Sequence, residues 1–478
     1  MGSKGRTFFL LAVSLFYYAS YNIFYSTWEQ GKGARGFIFL LLYYITVNYL
    51  FGMLVAAKRE NSRGHGIIWL ALAANLTPLV WYKYTDFAAG LMQNLLQTTG
   101  NTTLPVFRSL QIPIGISYFA FQSMAYVLDV HFDKIEPERS PVRFALFLAL
   151  FPKIIAGPII RYTEVAEDLA DPKMSPEQFA MGVRRFVIGL GKKLLLADIL
   201  AQTADQVFSI PGTYLSASVA WLGLLSYTLQ LYLDFSGYTD MAIGLAAMFG
   251  FKFQENFNYP YVSRSLSEFW RRWHISLSTW LRDYMFIPLS YALMTDRVRQ
   301  KIAQGRYKTN YRTLFSIVLV FTACGLWHGA GWNFIIWGML HGCVLALESC
   351  WLSKVIRKWW VPLQHAYLLL VVMLAWVFFR LPTLGGALSY LGALAGMSSH
   401  PSFYYDLRMY IDRTELLVLV AAVMACLPTT RYISGYLKQK WHPNVGAICE
   451  ITGMIVIIVL TFCTIASSTF TPFLYQKF

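Results

Sequence analysis

Apolar runs close to the length of a bilayer crossing recur along the whole chain, separated by short polar breaks. They fall at Thr7–Phe24, Phe37–Ala57, Ile67–Trp81, Ile112–Val130, Phe144–Ile160, Phe186–Leu200 and Val219–Asp234. The series continues at Met241–Phe251, Leu314–Leu326, Trp332–Leu352, Trp359–Phe379, Glu415–Leu427 and Ile451–Ser468. This pattern predicts an all-α polytopic membrane protein with roughly 11–13 membrane elements. Several runs are short or cut by Gly and Pro, which fits re-entrant or tilted helices shielded by protein or lining a wet cavity. With no soluble insertion between them, the runs predict a single membrane domain over residues 1–478.

Composition agrees. Of 478 residues, 56% are hydrophobic and only 14% charged, where a soluble domain is nearer a quarter charged. The net charge of +15 is scattered between apolar runs, as expected beside anionic headgroups; a nucleic-acid partner would ask for basic residues massed on one soluble face. The basic stretches Lys58–Arg63 and Arg297–Arg312 are expected in the cytoplasm. Gln97–Leu104, with neither Lys nor Arg, is expected outside, and Met1–Arg6 leads into an uncleaved first span. The Asn101-Thr102-Thr103 sequon match is discounted. Six cysteines without a C-x-x-C pair or zinc-like spacing predict no structural disulfide and no metal site.

Two segments are polar where the pattern asks for apolar residues. In Ser263–Tyr284, Leu266, Trp270, Trp273, Leu277 and Trp280 make an apolar stripe at helical spacing. Ser267, Arg271, His274, Ser278 and Arg282 make a polar one, with Glu268 and Arg272 placed to pair at i,i+4. Ser265 or Ser267 is the expected N-cap. One reading is an amphipathic helix lying in the membrane interface. The other is a helix lining an aqueous entrance and holding an anionic donor, its His274 kept neutral beside arginines. Both stay open.

The second segment, Cys324–Gly342, sets His328, Asn333 and His341 inside apolar sequence. Ionisable residues at membrane depth are costly and therefore candidate functional groups. His328, between Trp327 and Gly329, sits at a glycine-rich break where a substrate would approach closely. From the residues alone it is equally a structural histidine held by a neighbouring helix, and for His341 the structural reading leads. Asp234, in Gln230–Asp240, points to a polar pocket or a hydrogen-bonded helix break. Phe151–Pro158 reads as re-entrant. Absence of a Gly-x-Ser-x-Gly elbow leaves no catalytic serine to argue.

Taken in order, five motifs carry a family resemblance: Pro113–Tyr118; Phe151-Pro152-Lys153 with Ala156–Ile159; Asp234–Tyr238; Glu268–Ser278 followed by Trp280–Tyr284; and Gly325–Gly329 with Trp332–Phe334 and Trp337–Gly342. The chain resembles the membrane-bound O-acyltransferase (MBOAT) family, in its bacterial alginate O-acetyltransferase-like branch. The D-alanyl transferases acting on teichoic acid belong to the same branch. The resemblance implies a helical bundle around a central tunnel. It makes His328 the match to the family's catalytic histidine and His274 the match to a second conserved polar position, Asn in many eukaryotic relatives.

The function so implied is acetyl transfer from a cytoplasmic thioester, acetyl-CoA or an acyl-carrier thioester, to an extracytoplasmic polysaccharide such as alginate. The setting is the bacterial inner membrane, with no bound cofactor. His328 would act as general base. His274 or nearby donors would hold the thioester oxygen, and Arg271, Arg272 and Arg282 the donor phosphates. Ser278, Trp327, Asn333, His341 and Asp234 would line the donor site or tunnel. An extracytoplasmic protein with a serine nucleophile is the implied partner. The alternatives are D-alanyl transfer from a carrier protein to teichoic acid and, further off, a proton-coupled transporter.

Overall fold

The computed structural model describes residues 3–29, 37–58, 63–99, 110–293, 311–399, 406–429, 443–467 and 473. The stretches 59–62, 100–109 and 294–310 lie outside the described residues, so most of the two basic loops, the sequon and much of the loop Gln97–Leu104 are not placed. All regular structure among the described residues is helical. The chain divides into two compact units, Met1–Val183 with Ala242–Gln254, and Arg184–Met241 with Glu255–Phe478.

The first unit holds α1 (Ser3–Glu29), α2 (Phe37–Lys58), α3 (Arg63–Thr98), α4 (Ile116–His131), α5 (Pro141–Ala149) and α6 (Tyr162–Ala170). Polar groups in its core are paired, as burial requires. Asn48 of α2 and Asn75 of α3 exchange amide hydrogen bonds at 2.9 and 2.7 Å. Gly52 lets Tyr126 of α4 lie against the α2 backbone; a Cβ there would stand 2.6 Å from the ring. The stretch read as re-entrant is a run of turns buried from Pro152 to Ile160. There Lys153 is wholly buried, its ammonium donating to Gln122 Oε1 and lying 4.7 Å from the Phe147 ring centroid.

The second unit contains the end of α7 (Pro176–Gly191), α8 (Asp198–Ser209) and most of α9 (Ala217–Met248). The short α10 (Leu266–Trp270), α11 (Ile275–Leu281) and α12 (Ile287–Leu293) follow. Then come α13 (Tyr311–His328), α14 (Trp332–Leu347), α15 (Val361–Arg380), α16 (Leu384–Leu394), α17 (Arg413–Cys426) and α18 (Pro443–Ser467). Wider π turns interrupt it at Lys192–Ala197, Arg282–Phe286 and Glu348–Leu352. Such bulges cluster at functional sites.

Two runs expected as separate spans, Val219–Asp234 and Met241–Phe251, are joined by one continuous helix, α9. The polar residues between them do not break it because their charges are met across the helix pair. Lys193 bridges Asp234 and Asp198 at 2.7 and 2.6 Å, and Lys192 meets Asp240 at 2.7 Å. Arg185 binds Asp240 and, through both amino nitrogens, Glu255. Among the described residues, five helices are long and apolar enough to cross a membrane: Phe37–Lys58, Tyr311–His328, Trp332–Ile356, Val361–Arg380 and Asn444–Ser467. The chain is a multi-pass membrane protein.

Candidate active site

The segment 266–281 is two short helices rather than one. Ser265 caps the first, its hydroxyl accepting from the Glu268 amide at 3.1 Å, and Glu268 pairs with Arg272 as the i,i+4 spacing predicted. The helix then stops. His274 takes a left-handed conformation, φ 43° and ψ 56°, which side chains adopt seldom and mostly where surrounding contacts impose it. Here the contacts come from Asn256, a residue without a sequence signal. Its carbonyl accepts from Ile275 N at 2.9 Å, and its Oδ1 accepts from Ser276 N at 3.0 Å and Ser276 Oγ at 2.8 Å. His274 Nδ1 lies 3.2 Å from the same Oδ1.

That turn separates His274 from the other members of its polar stripe. Ser267, Arg271, Ser278 and Arg282 all line one cavity of about 520 Å³, walled also by Trp270. His274 is not among the lining residues; it is buried, its ring edge-on to Phe235 with centroids 4.8 Å apart. It lies outside the five long apolar helices, and burial pushes its imidazole pKa down to about 3. The neutral form expected for it therefore has burial, not neighbouring arginines, as its cause. The apolar stripe is as expected: Leu266, Trp270, Trp273, Leu277 and Trp280 are all buried.

Helices α13 and α14 pack as a close hairpin. A Cβ on Gly325 would meet the Phe334 carbonyl at 2.2 Å, and one on Gly338 the Phe321 carbonyl at 2.3 Å. The space beside Gly329, expected to admit a substrate, is filled by the chain's own Phe334 ring, 2.1 Å from where a Cβ would stand. His328 is the last residue of α13 and is buried. Trp327, Trp337 and Phe379 meet its ring edge-on at 4.8, 5.1 and 5.2 Å.

Through these indoles the histidines form one layer. Trp327 lies 6.3 Å from His274, and Trp337 lies 4.8 Å from His341. The Trp270 indole, a wall of the cavity, donates to His341 Nδ1 at 3.3 Å and stands 6.0 Å from Trp337. Trp337 thus lies between His328 and both His341 and the cavity wall.

The remaining sequence candidates have other partners. Arg282 pairs with Asp283 at 2.7 Å, and Arg272 is tied to Glu268 and the Asn258 carbonyl. Asn333 donates to the carbonyls of Phe378 and Leu381 at 3.2 and 3.1 Å, which pins α14 to the end of α15. Asp234 pairs with Lys193 and is absent from the cavity lining. A second residue that the sequence analysis did not single out is Glu348. Its buried carboxylate accepts from Leu266 N, Ser267 N and Ser267 Oγ at 2.7, 2.8 and 2.6 Å, and from Tyr367 Oη at 3.1 Å. It satisfies the free amides that start α10 and so ties the cavity wall to the π turn after α14. No cluster of metal-ligating side chains occurs among the described residues.

A buried imidazole layer thus lies beside an arginine-lined cavity in a polytopic helical membrane protein. The chain belongs to the MBOAT, membrane-bound O-acyltransferase family, whose model matches residues 67–389, and it is an O-acyltransferase. It is 39% identical over 363 residues to a probable alginate O-acetylase of Azotobacter vinelandii, covering 76% of this chain and 68% of that protein. It is 33% identical to a peptidoglycan O-acetyltransferase of Helicobacter pylori, over 98% of this chain and 91% of that one. A teichoic acid D-alanyltransferase of Streptococcus thermophilus is 31% identical over 50% of this chain and 58% of its own.

Proposed function

We propose that this enzyme, seated in the bacterial inner membrane, moves an acetyl group from acetyl-CoA toward hydroxyls of an extracytoplasmic polysaccharide. The observation that carries the reading is His328, buried at a helix end and one indole removed from the wall of the arginine-lined cavity. Arg271 and Arg282 supply charge for the donor's phosphates; Ser267 and Ser278, with the apolar wall, suit its pantetheine arm. His328 takes the proton of the attacking hydroxyl as that oxygen bonds to the thioester carbonyl carbon. The C–S bond then breaks, and the proton passes to the departing thiolate. General-base action of this kind contributes on the order of 10²–10⁴-fold. A separate extracytoplasmic protein with a serine nucleophile completes delivery to the polymer. The acetylases acting on alginate and peptidoglycan are matched over more of this chain than the D-alanyl transferase, which favours acetyl over D-alanyl transfer.

The test is His328→Ala, with polymer acetyl content measured alongside the amount of protein in the membrane. The expected outcome is full-level protein and no acetylation; wild-type acetyl content sinks the assignment. Labelled acetyl-CoA offered against a D-alanyl-charged carrier protein decides the donor.

A further inference from the structure

His274 and His341 are both buried, and each has one ring nitrogen engaged by a group whose role is fixed. Asn256 Oδ1 already accepts from the Ser276 backbone amide, so it is an oxygen and only accepts. A hydrogen bond from His274 to it requires the proton on Nδ1, which leaves Nε2 of the neutral ring an acceptor. The Trp270 indole only donates. His341 Nδ1 must therefore be the unprotonated nitrogen, with the proton on Nε2. That Nε2–H has no hydrogen-bond partner among the described residues, in a side chain with no exposure. A buried donor left unmet costs about 1–3 kcal/mol, and such a group in a native protein calls for an explanation.

We propose that Asn256 and Trp270 hold the two histidines in opposite tautomers, and that His341 is the hydrogen-bond donor to the acyl carbonyl oxygen during transfer. The inference rests on the acyl-transfer reading of His328. Of the two expectations, that His274 or a nearby donor holds the thioester oxygen, it takes the second, because a neutral His274 has already committed its only N–H to Asn256. Placement agrees with the role. His341 and Trp337 lie one turn apart on α14, and the Trp337 ring touches both His341 and His328. A base on the hydroxyl and a donor on the carbonyl oxygen act on opposite sides of the reacting carbon, each through a hydrogen bond of about 2.8–3 Å. Two imidazoles flanking one indole offer such an arrangement.

Two variants of the full-length enzyme separate donation from packing. In His341→Gln, Oε1 still accepts from the Trp270 indole while the amide N–H replaces Nε2–H. His341→Phe keeps a ring and loses both roles. The expected result is a kcat about 10²-fold lower for His341→Phe, with KM for acetyl-CoA unchanged, and His341→Gln within about tenfold of wild type. Selective 15N-histidine spectra, with His341 assigned by its loss in His341→Gln, should show Nδ1 unprotonated. Equal damage in both variants, wild-type kcat in His341→Phe, or a protonated Nδ1 overturns the proposal. His328→Ala run beside them keeps the outcomes apart, since its activity tests the base without touching the tautomers.

Discussion

The cavity and the histidine layer share one residue, Trp270, and otherwise differ in every physical respect. The cavity is faced by two arginines and several hydroxyls and is entered by side chains with exposure, Arg271 and Arg282. The layer is buried: His274, His328, His341, Trp327 and Trp337 pack largely ring against ring, with directional hydrogen bonds at His274 and His341. Charge recognition tolerates water and gains from long, mobile side chains. Proton transfer needs fixed distances and the low dielectric of an interior. The proposed function gives binding to the cavity and chemistry to the layer, with Trp270 common to both.

If that division is right, replacements in the layer change turnover and replacements in the cavity change affinity. The largest effect is expected for His328→Gln, a fall in kcat on the order of 10²–10⁴-fold at constant KM; a KM change alone would erase the distinction. Next is Glu348→Ala, which leaves the buried amides of Leu266 and Ser267 unmet and costs roughly 2–4 kcal/mol. Thermal unfolding in detergent should show the loss, and an unchanged midpoint would mean that α10 is not held from α14. Asn333→Ala should cost about 1–3 kcal/mol of stability with kcat intact well below the midpoint. A loss of turnover there would return Asn333 to the reacting groups. The smallest effect is expected for Arg271→Ala and Arg282→Ala. Each should raise KM for acetyl-CoA about tenfold, with kcat within about twofold, as befits partly solvated charge contacts. A kcat effect without a KM effect would place the arginines in the chemistry.

Much of this was legible in the sequence, because local rules decide it. The apolar stripe of 266–280, the Glu268–Arg272 pair and the break at His328 between two apolar runs follow from helical spacing and from the cost of polar groups in apolar runs. What was not legible depends on partners far along the chain. Asn256 reaches His274 across 18 residues, and Glu348 reaches Leu266 across 82. Nothing in Gln254–Asn258 marks one asparagine as a clamp. Glu348 carried a usable signal, an acidic residue inside an apolar run, the same argument that singled out His341. The continuity of α9 was hidden for a related reason. Asp234 and Asp240 look like helix breakers until Lys193, Lys192 and Arg185 are seen opposite them.

The left-handed backbone at His274 also acts as a filter on evolution at that position. Before any chemistry is selected, φ 43° disfavours β-branched residues most and suits glycine, asparagine, aspartate and histidine best. Histidine to asparagine is therefore an exchange that the backbone permits. That exchange looks radical as chemistry and is conservative as conformation: both side chains tolerate the turn, and both hydrogen-bond within it. Substitution in this family would then be channelled by backbone shape first, with the reaction choosing among the few residues that remain.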